Sequence, residues 1–489
     1  MSDKNVRLDV EHIDKKKSIY REYIMKKAAI YKIVVFLVMI TAGAILSLII
    51  PLRPTVSVNE KRNLTEFPKF SVESFLNGEY FSGIDTWFAD TFPYRDQLIA
   101  CNDKVVSLYG IRDTVIHGEV VKGDKIPDID INMDDINKAP VSETKPGGSG
   151  TIGENESSGT VTGTEESTKA TESETKESQS DIKDVSGESA ASAGEQIGSV
   201  FIYGDSAYDY YGFSQKYSDT YVSIVNDLAN KLEGKASVYD IVVPTSIDIT
   251  LDDNVRKKLS SSNQRDAILY MYSKMNSKVN KTYVYDVLRA HRNEYLYFRT
   301  DHHWTALGAY YTYCILAQQM GLKANKLESF ERLEFSNFKG SFCTVTGSSA
   351  LINNPDTLVA YKPMATNRIK YTDRKGNIIN YNVITDVSSW QPVNRYSAFI
   401  GGDNPYTEIN NPQLKDGSAC LVIKESYGNA FVPFLVDHFE NVYVIDYRYY
   451  KGTVSELVEQ KGIQNVIMIN NVAATSTDLR VNEMEKVCR

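Results

Sequence analysis

The chain has 489 residues, 42% of them hydrophobic, and carries 63 acidic against 54 basic side chains for a net charge of −9. That length can bury a large core and hold more than one module. The acidic balance excludes a chain that binds nucleic acid by neutralising phosphates.

The N-terminal 1–32 is basic, with Lys15, Lys16, Lys17, Arg21, Lys26, Lys27 and Lys32 crowding the start of an uncharged apolar run. That run, 33–52 including Pro51 and Leu52, has the length to cross a hydrocarbon core of about 30 Å as a helix. The flanking lysines place the N-terminus in the cytoplasm and everything after Arg53 outside. A long charged leader and the lack of a small-x-small site before Pro51 favour an uncleaved anchor over a signal peptide.

A membrane-proximal segment follows over 53–136, with a helix expected at 97–108 and a strand at 114–121. The stretch 137–198 is rich in Ser, Thr, Glu and Gly. Between 141 and 197 it holds twelve acidic residues, four lysines, no Leu and no aromatic residue. It cannot bury enough apolar area to offset its ordering entropy, so it reads as a disordered insert that holds most of the excess charge.

From 199 to 489 helical and strand periodicities alternate. Helices are expected at 217–232, 265–279 and 305–320, the last stopped by Gly321, and strands at 237–243 and 282–287. A β-rich insertion occupies about 323–412, with a hairpin turn at Asp373, Gly376 and Asn377. Alternation then returns: strand 419–424, a turn at Ser426, a helix to 436 with Pro433 in its first turn, strand 442–446, helix 454–460 and strand 466–470. Apolar strands separated by helices give an α/β fold with a mainly parallel sheet covered on both faces. Ligands bind beyond the carboxyl ends of such strands, where Ser426, Asp446 and Asn470 fall.

Five cysteines, Cys101, Cys314, Cys343, Cys420 and Cys488, show no metal-ligand spacing. A Cys101–Cys488 or Cys343–Cys420 bridge is open, and buried thiols are the simpler reading of Cys314 and Cys420.

Three of six histidines, His291, His302 and His303, cluster near Asp301. In an extended backbone positions i and i+2 share a side, so Asp301 can orient the His303 ring. That is the orienting half of a Ser-His-Asp relay. Adjacent His302 should then face away. The alternatives are a helix-capping loop, or a metal site built from His291, His302, His303 and Asp301, which opposed neighbouring rings disfavour. The nucleophile candidate is Ser426, on a turn between a strand and an expected helix, with simple helix capping as its alternative. Ser206 is a competitor. Its Gly204-Asp205-Ser206 block resembles the nucleophile block of SGNH hydrolases, but it leaves the insert and leads into no clear helix.

The motifs Tyr297-Phe298-Arg299-Thr300-Asp301-His302-His303-Trp304-Thr305 and Lys424-Glu425-Ser426-Tyr427-Gly428-Asn429 together resemble the DHHW protein family, related to the AlgX/AlgJ-type SGNH hydrolase-like domain of alginate O-acetyltransferases. Val444-Ile445-Asp446-Tyr447-Arg448, Asn59-Glu60-Lys61-Arg62-Asn63 and Trp87-Phe88-Ala89-Asp90 extend the likeness. The resemblance implies an SGNH-like three-layer domain with permuted block order, and a triad of Ser426, His303 and Asp301. One departure is Glu425, where the family often has Asp. Oxyanion donors would come from the amide region at Gly428 or from Asn429, Asn470 or Asn471. Arg448, Tyr427 and Trp304 are candidates for contacting substrate, with internal pairing of Arg448 to Asp446 and packing of Trp304 beneath the loop as the alternatives.

The implied activity is acetyl transfer to a cell-surface or secreted polysaccharide. The alternatives are a carbohydrate acetylesterase with the same triad, or a non-catalytic glycan-binding scaffold of an export complex. No cofactor is implied. Acetyl donors are cytoplasmic, so a multi-pass membrane O-acyltransferase would hand the group across.

Overall fold

The computed structural model describes residues 199–489 throughout and, before them, separate stretches, chiefly 30–39, 65–76, 78–93, 115–118 and 122–129. Residues 30–39 are helical and exposed. Among the described residues no helix is long and apolar enough to cross a membrane. Most of 40–52, the expected helix at 97–108 and nearly all of the 137–198 insert lie outside the described residues.

The core is built on one sheet of eight strands. In chain order the elements used below are α1 (Gln215–Lys231), β1 (Ser237–Val243), α2 (Gln264–Lys274), β2 (Val279–Lys281), α3 (Tyr285–Ala290), α4 (Ala306–Gln319), β3 (Glu331–Phe338) and β4 (Asp356–Lys362). They continue with β5 (Arg368–Thr372), β6 (Ile378–Asn382), β7 (Tyr406–Asn410), β8 (Ala419–Lys424), β9 (Asn441–Asp446), α5 (Val454–Lys461), β10 (Asn465–Asn471) and α6 (Asp478–Cys488). The sheet order is β6-β5-β7-β9-β8-β10-β1-β2. From β9 to β2 the pairings are parallel, and β7, β5 and β6 add an antiparallel edge.

The parallel strands are the apolar runs of the sequence. Every residue of β8 is at most 2% exposed, which requires cover on both faces and explains why these strands do not alternate with polar residues. The chain passes from β8 to its neighbour β9, then crosses to β10 on the other side of β8. The carboxyl end of β8 is therefore the point where the winding reverses, the crevice position of open α/β sheets.

Three local expectations differ from the structure. Residues 282–287, rich in Tyr and Val, do not form a strand. The strand is the earlier β2, and α3 begins at Tyr285. The helix expected to run to 279 ends at Lys274. After Ser426 the chain makes two 3-10 turns, Ser426–Ala430 and Val432–Leu435, not an α-helix. Pro433 sits inside the second turn, where its missing N–H cannot serve an i→i−4 ladder. The β-rich insertion is not a separate flap, because three of its strands join the main sheet. Cys314, Cys343, Cys420 and Cys488 are free thiols, so no Cys343–Cys420 bridge forms; Cys101 lies outside the described residues.

Candidate active site

The Asp301–His303 segment is a tight turn, closed by a bridge between Tyr297 and Trp304. The Phe298 amide donates to the His303 carbonyl (3.2 Å), and the Thr305 amide to that of Leu296 (2.8 Å). Carboxylate and imidazole meet because Asp301 caps its own turn. Its Oδ1 accepts the His303 amide at 3.0 Å and lies 2.5 Å from His303 Nδ1. The same turn corrects the expectation for His302. Its ring does not face away but lies 3.8 Å from that of His303, because successive side chains diverge only in extended backbone.

Ser426 arrives from the end of β8. Its Oγ lies 2.7 Å from His303 Nε2 and 3.1 Å from Glu425 Oε2. A hydroxyl has one proton, and the imidazole is the closer acceptor. Asp301, His303 and Ser426 thus form a continuous hydrogen-bonded line, with residue exposures of 4%, 5% and 2%. Burial pushes the Asp301 carboxyl up. The His303 and His302 imidazoles and hydrogen bonds from His303 and Ser341 outweigh that, holding it well below the usual carboxylate range.

The surrounding supports come from the 323–412 insertion, and none of them was expected. The Ser341 amide donates to Asp301 Oδ2 at 2.7 Å, and Ser341 Oγ lies 2.6 Å from His302 Nδ1. Gly340 passes so close to Asp301 that an added Cβ would collide with it. Buried Asp356, at the start of β4, accepts from the Thr300 amide (2.8 Å), Thr300 Oγ1 (2.7 Å), Arg299 Nε (3.1 Å) and the Tyr295 hydroxyl. Tyr396, on the Pro392–Ala398 turn, stacks on the His303 ring at 3.8 Å and 11°. Only the Asn, Ser and Gly content of the insertion hinted at loops able to approach a site. No spacing rule links these positions to Asp301.

The other sequence candidates occupy different places. Trp304 and Tyr427 are wholly buried and tie the two loops together. Trp304 Nε1 donates to the Tyr427 carbonyl (2.9 Å), and the Tyr427 hydroxyl to the His302 carbonyl (2.5 Å). Their large rings are thus packing, not a substrate surface. Arg448 also faces inward, toward Asp446 (2.7 Å) and Asp403 (3.0 Å). Lys424 joins the same cluster, 3.0 Å from Asp446 and 3.2 Å from Asp403.

The four oxyanion candidates hold other partners. The Gly428 amide donates to the Glu425 carbonyl (3.0 Å), and Asn429 Nδ2 to Asp403 (2.9 Å). Asn470 Nδ2 reaches the Tyr221 hydroxyl (3.4 Å), and the Asn471 amide donates to Glu425 Oε1 (2.9 Å). Gly428 is required at its position, since a Cβ there would strike the Lys424 side chain. Ser206 lies in a hairpin, with its Oγ 3.2 Å from Asp205 Oδ1. His291 pairs with Glu294 (2.6 Å) and stacks on Tyr311, leaving the proposed metal set. The ligand-capable atoms of Asp301, His302 and His303 do lie within 4.8 Å of one another. Both nitrogens of His303 are already committed to Asp301 and Ser426.

The DHHW protein family matches residues 60–445. The chain belongs to this family. A crystal structure of a DHHW family protein from Eubacterium siraeum DSM 15702 is 26% identical, with a TM-score of 0.54 over 59% of this chain and 95% of that one. Bacillus cereus PatB1 with a sulfonyl adduct is 19% identical, with a TM-score of 0.49 over 57% of this chain and 97% of that one. The O-acetyltransferase domain of Pseudomonas putida AlgJ is 12% identical, with a TM-score of 0.32 over 55% of this chain and 90% of that one. No curated protein matches. In this DHHW protein the residues that name the family are one turn, with Asp301 and His303 in the hydrogen-bonded line to Ser426, His302 stacked beside it and Trp304 pinned below.

Proposed function

We propose that this DHHW protein is a membrane-anchored, extracytoplasmic O-acetyltransferase that modifies a polysaccharide through an acetyl-Ser426 intermediate. The observation that carries the reading is the line from Asp301 through His303 to Ser426, at 2.5 and 2.7 Å. His303 Nε2 takes the Ser426 proton as Oγ attacks the acetyl carbonyl. The tetrahedral adduct collapses, the bond to the donor's leaving oxygen or sulfur breaks, and His303 returns the proton to that group. A sugar hydroxyl then gives its proton to His303 and attacks the acetyl carbon. Ser426 leaves and recovers the proton, so the enzyme is restored.

The acetyl group and carbohydrate acceptor come from the resemblance of both motif blocks to those of alginate O-acetyltransferases. Near-complete burial of Ser426 and His303 supports a small acyl group. The apolar run at 33–52 and its flanking lysines support an anchor with an external domain. That topology requires a membrane acyltransferase partner to deliver acetyl groups, and no cofactor of the protein's own.

The test uses full-length protein in detergent, a chromogenic acetate ester as donor and an oligosaccharide as acceptor. Ser426→Ala and His303→Ala should each lose at least about 10³-fold in turnover. Acetate appearing on the sugar in preference to water selects the transferase. Wild-type turnover in both variants rejects the triad.

A further inference from the structure

We infer that Tyr396 is a positioning residue for the relay, its ring forming the seat on which the His303 imidazole rests and on which the imidazolium is held during acyl transfer. This rests on the acyl-transfer reading.

His303 is held on all sides. Nδ1 meets Asp301 and Nε2 meets Ser426. His302 lies over the ring at 3.8 Å, tilted by 38°, and Tyr396 lies at 3.8 Å, inclined by only 11°. Two near-parallel rings at that separation place the imidazole on the electron-rich face of the phenol. That face attracts a cation more than a neutral ring. The contact therefore strengthens when His303 takes the Ser426 proton, which is the behaviour required of a group that assists catalysis. The Tyr396 hydroxyl donates to the Ser426 backbone carbonyl at 3.0 Å, so one side chain touches both the base and the turn that carries the nucleophile.

The seat is itself fixed. Arg395 on the same turn donates to the carbonyls of Ser388 (2.9 Å), Trp390 (3.3 Å) and Ser336. Phe298 meets the Tyr396 ring edge-on at 6.4 Å, and Phe399 lies 5.4 Å away. The remaining titratable groups around His303 are Asp301, His302, Tyr427 at 5.4 Å between centroids, and Glu425 behind the Ser426 hydroxyl. Asp301 supplies charge along the ring plane. Tyr396 supplies the negative face of a neutral ring from above, so the two contributions are separable by mutation.

The experiment compares Tyr396→Phe and Tyr396→Leu in the full chain. Phe keeps the aromatic face and loses only the hydroxyl. Loss of the bond to the Ser426 carbonyl should lower kcat/KM by about threefold, less than loss of the face does, with an unchanged pH profile. Leu keeps apolar cover and removes the face. It should lower kcat/KM roughly tenfold and move the acidic limb of the pH–rate profile to lower pH. Tyr396→Met serves the same purpose if Leu does not fold.

The second readout is a nuclear magnetic resonance titration of the His303 ring, assigned with His303→Ala. It should show the same downward movement with Leu or Met and none with Phe. Equal His303 midpoints in wild type and the Leu or Met variant overturn the inference, as does a Phe variant as impaired as Leu. The titration needs no turnover, so failure of the acyl-transfer reading leaves this result intact and is recognised separately.

Discussion

Two buried polar clusters flank the corner where β8 ends, and they differ in what their protons can do. On one side Lys424 and Arg448 face Asp446 and Asp403, two fixed cations against two carboxylates. On the other, Asp301 faces two imidazoles, one of which reaches a hydroxyl on its far side. A guanidinium keeps its charge across the physiological range, whereas an imidazole gains and loses a proton within it. A cluster of matched, fixed charges is suited to holding a corner in shape. A cluster with a transferable proton is suited to chemistry. Sequence alone leaves Arg448 open between substrate contact and an internal pair with Asp446, and Asn429 open between oxyanion donor and structural cap. The structure assigns them to the fixed cluster.

Asp301→Asn should separate the clusters most sharply. The amide preserves shape but removes the charge that orients and stabilises protonated His303. Turnover of the acetate ester should fall by about 10³–10⁴, and the thermal midpoint should fall with it, because both carboxylate oxygens accept N–H donors and the amide keeps one acceptor. Activity within tenfold of wild type would erase the distinction.

Asp446→Asn is the matching change in the fixed cluster. Asp446 is fully buried, and its loss of charge removes one of the two carboxylates that Lys424 and Arg448 share among the described residues. Breaking a buried ion cluster this way costs about 3–5 kcal/mol, to be read as a lower urea midpoint at constant slope. A variant as stable as wild type would show that the cluster does not hold the corner.

The difference in legibility between these regions has a physical cause. Asp301 and His303 are near in sequence, and Ser426 follows an unmistakable buried strand, so local rules reach all three. Asp301's support by Ser341, its close fit to Gly340 and the stacking of Tyr396 depend on how a long insertion folds back, and no periodicity encodes that. His302 was misplaced for a local reason, since its orientation depends on whether 301–303 is extended or turned. The parallel sheet was legible because fully buried strands must be apolar throughout. Residues 282–287 were not, because Tyr and Val serve a buried short helix as well as a strand.

A third buried carboxylate sharpens the comparison by having neither a fixed cation nor an imidazole among its hydrogen-bond partners. Asp240, in β1, is fully buried and accepts from the Tyr221 hydroxyl at 2.5 Å. Burial pushes its carboxyl up to about 7, with the Tyr221 hydrogen bond pulling the other way. A raised carboxyl pKa means that the folded state holds a proton the unfolded chain has released. Stability should therefore fall as pH rises from the unfolded value near 4 to about 7, then level off, by an amount on the order of 2–4 kcal/mol. Asp240→Asn should flatten that decline in urea titrations across the same range. An unchanged slope would mean that Asp240 is ionised in the fold.

The smallest effect is expected at Asp403, which ties the fixed cluster to the turn that carries Ser426. Its side chain is 13% exposed, against none for Asp446. It accepts from Lys424 at 3.2 Å, and from Asn429 at 2.9 Å on the nucleophile turn. Asp403→Asn keeps the oxygen that accepts from Lys424 and Asn429, loses the one that faces Arg448 at 3.0 Å, and leaves Asp446 to balance the cations, with water close enough to share the load. The cost should be about 1 kcal/mol in urea unfolding, with ester turnover within roughly threefold of wild type. Asp403→Ala removes the acceptor and should reduce turnover further than Asn does, because Asn429 then loses its tether three residues beyond Ser426. Equal turnover in the two variants would show that the fixed cluster supports the fold alone. A larger loss in Ala would show that its grip on Asn429 also sets the position of the nucleophile.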